Sequence, residues 1–152
     1  MTPEEIETEL AGLALPQFDE TTAVRLGAIL VRLAGKAQAP VVINIRNGTR
    51  TFFHAALPGS SATNDNWARR KGNLALVNGR ASMAVALKMR AQGRTLAEEG
   101  LTEADHAVSG GAVPLIVQGA GMVAVCTVSG LPEAEDHALV VAGLRMLLAG
   151  RD

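Results

Sequence analysis

The sequence has one cysteine, Cys126, no tyrosine, one tryptophan, Trp67, and three phenylalanines, Phe18, Phe52 and Phe53. A lone thiol excludes an intrachain disulfide and a thiol-rich zinc site, and the expected place for Cys126 is a buried strand position. So few rings leave the core to aliphatic side chains and offer little aromatic wall for a flat macrocycle. Charge of one sign is missing as well. The 14 Lys and Arg against 15 Asp and Glu give a net charge of -1, so there is no basic field to draw in nucleic acid or an anionic membrane, and neither is an expected partner. No apolar run reaches transmembrane length, and the opening MTPEEIETEL has neither the basic nor the apolar region of a leader. Cytoplasmic location is the expectation.

What remains is ordinary globular composition in 152 residues, enough to bury one core. With no repeat, linker or low-complexity tract, the chain reads as a single domain over 1–152. Thr2-Pro3-Glu4-Glu5 signals a capped helix start, and a short helix is expected to about Ala11. Asp19 caps a second helix ending near Lys36, with Val24, Ala28, Val31 and Leu33 as its sheet-facing set. VVINIR, Asn47-Gly48 and TRTFFHAA form a β-hairpin pattern. A two-residue turn there pairs Ile45 with Arg50, Ile43 with Phe52 and Val41 with His54, setting His54 among apolar neighbours.

After the loop LPGSSATND, the residues Asn64, Asp65 and Asn66 are each acceptable caps for a helix from about Trp67. Trp67, Arg70, Leu74 and Val77 then share one stripe, with Arg69 and Lys71 pointing elsewhere. SMAVALKMRAQ reads as a helix ending at Gly93, followed by a short turn at TLAEEG. Two β-prone runs, Pro114 to Gln118 and Met122 to Ser129, flank Gly119-Ala120-Gly121 as a second hairpin. A last helix runs from Pro132 to about Leu148, with His137, Val141, Leu144 and Leu148 on one stripe. Its apolar arc, from Ala138 and Leu139 to Met146, Leu147 and Leu148, is broader than one core stripe needs. The surplus either meets another subunit or is buried in a larger core. The order α-α-β-β-α-α-β-β-α makes this an α/β domain of the α+β type, with an antiparallel sheet built from two hairpins.

Ser109-Gly110-Gly111-Ala112-Val113-Pro114, Gly119-Ala120-Gly121-Met122-Val123 and Thr127-Val128-Ser129-Gly130-Leu131-Pro132 with Glu135-Asp136-His137 resemble the GlcG/HbpS-like family, often labelled the haem-degrading domain family. Ala56-Leu57-Pro58-Gly59-Ser60, Asp65-Asn66-Trp67 and Arg70-Lys71 resemble an uncharacterised branch of it found in bacteria and yeasts. The resemblance runs from about Val41 to Leu148. It implies a profilin-like three-layer α/β/α sandwich and a ring-like homo-oligomer, often of several dimers. It also names haem as the candidate cofactor. Where that branch usually has His-Gly-Gly, this chain has Ser109-Gly110-Gly111, so one imidazole of the family pattern is missing; His106 lies nearby but out of register.

A haem site asks for an apolar slot, an axial ligand and basic groups for the propionates. His54 and His137 are the candidate ligands, against ordinary readings as a sheet histidine and a packed or interface histidine; Asp136 stands ready to hold the His137 ring. The three histidines show no metal-site spacing and no GxSxG elbow is present, so no metal site is expected and catalytic residues stay unassigned. A small-ligand pocket is expected from Gly59, Ser60, Gly110 and Gly111, with Ser109 at its lining and Arg70 for an anionic group. The competing reading gives the glycines to tight turns and Arg70 to a loop tie. Three functions fit: a homo-oligomeric module binding haem or another small anion, a non-catalytic scaffold or adaptor for a protein partner, and an enzyme on a small phosphorylated or carboxylated metabolite.

Overall fold

A computed structural model describes residues 1–151. Five α-helices and four strands follow in the expected order: α1 (Pro3–Ala11), α2 (Glu20–Lys36), β1 (Val42–Arg46), β2 (Thr51–Ala56), α3 (Ala62–Asn78), α4 (Ser82–Gln92), β3 (Ala112–Val117), β4 (Gly121–Ser129) and α5 (Glu133–Leu148), with a single 3-10 turn at Ala97–Glu99 before β3. The sheet order is β2-β1-β4-β3, antiparallel throughout, so the two hairpins join through β1 and β4. Helices α2 and α5 cover one face, where Leu26, Ile29, Leu30, Val140 and Leu144 pack on Ile43, Ile45, Leu115 and Val128. Helix α3 lies on the other face, backed by α4 and then α1. This is the three-layer α/β/α sandwich. Each fully buried Leu or Ile adds about 1.5–3 kcal/mol of transfer free energy, and the core is aliphatic, as the shortage of rings requires. Cys126 is buried on β4, and burial pushes its thiol pKa up.

The caps follow from local chemistry. Thr2 and Glu5 exchange bonds in a capping box, and Asp19 Oδ1 accepts from the Thr22 amide at 2.8 Å. Glycines 79 and 93 stop α3 and α4 in the left-handed conformation.

Several sequence expectations are corrected. The first hairpin has no two-residue turn, because neither Asn47 nor Gly48 takes the positive φ that such a turn needs. Instead Asn47 Oδ1 accepts from the amides of Thr49 and Arg50, both at 2.9 Å, and closes a longer loop. With an irregularity after Ile45, the register becomes Asn44 opposite His54, Ile45 opposite Phe53 and Arg46 opposite Thr51. The shift is odd, so His54 moves to the α3 face beside a polar neighbour.

The inner face of α2 is Ala23, Leu26, Gly27, Leu30 and Ala34, and Val24 is 53% exposed. Small residues prevail there because the Phe53 ring presses on α2; a Cβ on Gly27 would stand 2.5 Å from it. Helix α3 begins five residues earlier than expected, after Ser61, whose amide donates to Asn64 Oδ1 at 2.9 Å. Of the expected stripe only Leu74 is buried; the buried set is Ala68, Lys71, Gly72, Leu74 and Ala75. On α5, His137, Val141 and Leu144 face inward as expected and Leu148 does not.

The two sheet edges differ. Outside β3, the Leu15 amide donates to Ile116 O at 2.7 Å and the Gln118 amide donates to Leu15 O at 2.9 Å, a short parallel stitch. Strand β2 forms the opposite edge of the sheet, pairing only with β1.

Candidate functional site

Strands β1 and β2 set Asn44 and His54 side by side, and the first turns of α3 bring Asp65 over them. His54 Nε2 lies 3.0 Å from Asp65 Oδ1, and Nδ1 lies 3.1 Å from Asn44 Nδ2. The amide nitrogen donates, so Nδ1 accepts and Nε2 carries the proton given to the carboxylate. Both ring nitrogens are thereby oriented, yet the side chains of His54 and Asp65 remain 39% and 45% exposed. Thr127, opposite Asn44 on β4, buries its hydroxyl in the next row.

The same sheet face carries an arginine tied to α3. Arg46 Nη2 donates to Asn73 Oδ1 at 2.7 Å and to Arg69 O at 3.1 Å, passing over Gly72, where a Cβ would meet it at 2.9 Å. Partial burial and the charge of Arg69 hold its pKa below the usual guanidinium value. Arg69 reaches Asp105 at 3.0 Å. Arg70 stacks over Trp67 at 4.7 Å and its Nε donates to Glu103 O at 2.8 Å, which is the loop tie of the competing reading.

The charged group on the buried stripe of α3 is Lys71, 2% exposed. Its Nζ donates to Val128 O at 2.8 Å and to Asp136 Oδ2 at 3.0 Å. Asp136 also accepts the Leu131 amide on Oδ1 at 3.0 Å. Burial lowers the Lys71 pKa and raises that of Asp136, and their mutual attraction opposes both shifts. Gly111, at φ +127°, passes so close that a Cβ would sit 2.5 Å from both Lys71 Nζ and Val128 O. Asp136 is therefore committed to Lys71 and does not hold the His137 ring. His137 is 3% exposed, and neither ring nitrogen has a hydrogen-bond partner.

The remaining residues singled out from the sequence serve turns and packing. Gly59, at φ +89°, lies against Pro40, and Ser60 Oγ donates to Leu57 O at 2.6 Å. The Ser109 amide donates to Ala107 O at 3.0 Å, and a Cβ on Gly110 would run into the Met83 sulfur. His106 Nδ1 lies 3.3 Å from Thr102 O. Two cavities, of about 680 and 200 Å³, lie under α1, and none of the candidate ligand-binding residues His54, Gly59, Ser60, Arg70, Ser109, Gly110, Gly111 and His137 lines either. Among the described residues no group of three or more His, Cys, Asp or Glu is arranged to hold a metal ion, and no helix is long and apolar enough to cross a membrane. Asn44 and Lys71 were not legible as partners. Asn44 depended on the hairpin register, and Lys71 on seeing that Ala68, Lys71 and Ala75 make a tighter stripe than Trp67, Arg70 and Leu74.

Fold and site together define a class: an α/β/α sandwich on a four-stranded antiparallel sheet, with one accessible, doubly oriented histidine on its edge strand. The model of the family described as haem degrading protein HbpS-like matches residues 18–145. The chain belongs to that HbpS-like family. It is 43% identical over 150 residues to a UPF0303 protein of Rhizobium rhizogenes, covering 94% of this chain and 93% of the relative. Among solved structures, yeast Ybr137w superposes with a TM-score of 0.88 at 27% identity, over 97% of this chain and 88% of that one. The PduOC:haem complex superposes with a TM-score of 0.71 at 20% identity, over 87% and 94%, a likeness of fold.

Proposed function

We propose that the protein is a homo-oligomeric small-ligand-binding module in which His54 meets the ligand, with haem the ligand to test first. The observation that carries this is the accessible imidazole fixed between Asp65 and Asn44. A metal-ligating histidine usually gives its second ring N–H to a carboxylate, and His54 has that arrangement already. In this tautomer Nδ1 holds the free electron pair and needs only the Asn44 amide to turn aside. Family membership and a haem-bound structure of the same fold support the choice of ligand.

The residues fit a haem held at the surface and not an enclosed one. His137 and Cys126 are sealed in the packing, and neither cavity is lined by a histidine or cysteine. A bound haem would supply iron for slow oxidative chemistry. This chain's part is to orient the His54 ring through Asp65. Homo-oligomerisation rests on α5. Ala138 and Ala142 are exposed, and Leu139 and Met146 half-buried, on one side of that helix.

The test is an absorbance titration of the protein with hemin beside His54→Ala, His137→Ala and Arg70→Ala. A saturable, stoichiometric Soret shift lost in His54→Ala and kept in the other two is expected. An unsaturable change in all four proteins sinks the haem reading.

A further inference from the structure

We infer a second ligand site under α1, one that takes a small carboxylate with an apolar body and binds it through Arg80. The smaller cavity, about 200 Å³, is walled by Leu10, Ala11, Ala14, Ala81, Pro114 and Ile116, and the only charged side chains on its lining are Glu7 and Arg80. The same two residues line the larger, open groove of about 680 Å³. Their ion pair, Arg80 Nη1 to Glu7 Oε1 at 3.1 Å, thus stands where the apolar cavity meets the groove.

That partition is weak. Both side chains are about half exposed, and a pair in such a setting contributes at most about 1 kcal/mol. The two partners are not anchored alike. Glu7 rides on α1, a nine-residue helix with one buried side chain, Ile6. Arg80 sits in the tight connection between α3 and α4, flanked by the left-handed Gly79 and the buried Ala81. Rotation of the exposed Glu7 side chain withdraws the carboxylate, leaves Leu10 and Ala11 of α1 in place as cavity wall, and frees the guanidinium at the mouth of an apolar cavity. A planar guanidinium takes up a carboxylate through paired N–H bonds, so an incoming carboxylate replaces Glu7 while its hydrocarbon fills the space behind. This site shares no residue with the His54 surface and does not depend on it.

The experiment is calorimetric titration with octanoate, of the wild-type chain and of Arg80→Gln, Glu7→Gln and His54→Ala, with octanol and octylamine as probes of the same length. Saturable octanoate binding is expected, weakened about tenfold in Arg80→Gln, tightened in Glu7→Gln where the internal competitor is gone, and unchanged in His54→Ala. Glu7 and Arg80 are exposed enough for both substitutions to leave the fold intact. The inference is overturned by absence of saturable binding, by octanol or octylamine binding as tightly as octanoate, or by an unaltered affinity in Arg80→Gln or Glu7→Gln.

Discussion

His137 keeps two polar ring atoms away from water and gives them no partner, a cost usually of about 1–3 kcal/mol. Burial lowers its pKa from the ordinary value near 6.5, with Glu9 pulling weakly the other way. The sign of the pH effect follows. The unfolded chain takes up the proton first, so the stability tied to neutral His137 is complete above about pH 6.5 and falls as the pH drops. We expect His137→Leu to raise stability at pH 7.5. The gain should grow by up to about 1.4 kcal/mol at pH 5.5, where the unfolded histidine is charged. Urea denaturation at the two pH values checks this, and equal gains at both would show that His137 is protonated in the fold. The Glu133 carboxyl, held low by its bonds to Arg90, acts on stability only at more acid pH.

The Lys71–Asp136 pair belongs to the scale of elements, since it joins the middle of α3, the end of β4 and the first turn of α5. Removing one partner leaves a buried charge unpaired, and Lys71→Met is expected to cost about 3–5 kcal/mol. Lys71→Met combined with Asp136→Leu should cost well below the sum of the single changes, as measured in a double-mutant cycle by denaturant unfolding. Additive losses would mean that the two charges are not coupled.

Such a tie explains what the sequence could and could not disclose. Most element boundaries were legible because capping chemistry is local: Thr2 with Glu5, Asp19 with Thr22, and Gly93 each act within a turn. The Ser61 start of α3 was hidden behind three competing caps, Asn64, Asp65 and Asn66. Helix phase was not legible. On α2 the large Val24 outweighs the small Ala23 and Gly27 in any hydrophobic pattern, yet the Phe53 ring and α5 leave room on that face for small residues at 23, 27 and 34. On α3 a lysine belongs inside only because Asp136, 65 residues later, arrives to meet it. His54 was visible as a candidate, but its partners hung on a register that the Asn47 side chain sets.

For the whole molecule, the proposed homo-oligomer would place its contact on the outer side of α5. Ala138, Leu139, Ala142 and Met146 present a shallow apolar strip on which a second subunit can lie. Mass photometry is expected to find an assembly of several chains, reduced to smaller species by Ala142→Arg. A wild-type monomer would refute homo-oligomerisation, and an unshifted mass in Ala142→Arg would move the interface elsewhere.

The unequal edges of the sheet bear on a different hazard. A strand ladder that grows without limit needs each molecule to offer two open sides, one to give and one to receive. Here the β3 side is closed along its length: the Leu15 segment pairs around Ile116 to Gln118, Pro114 has no amide to offer, and the Ala112 amide donates to Ser82 Oγ at 3.0 Å. Only β2 is left to recruit a neighbour. Two chains that met along it would use up each other's last free border, so association by strand addition ends at a pair and has no route to a fibre.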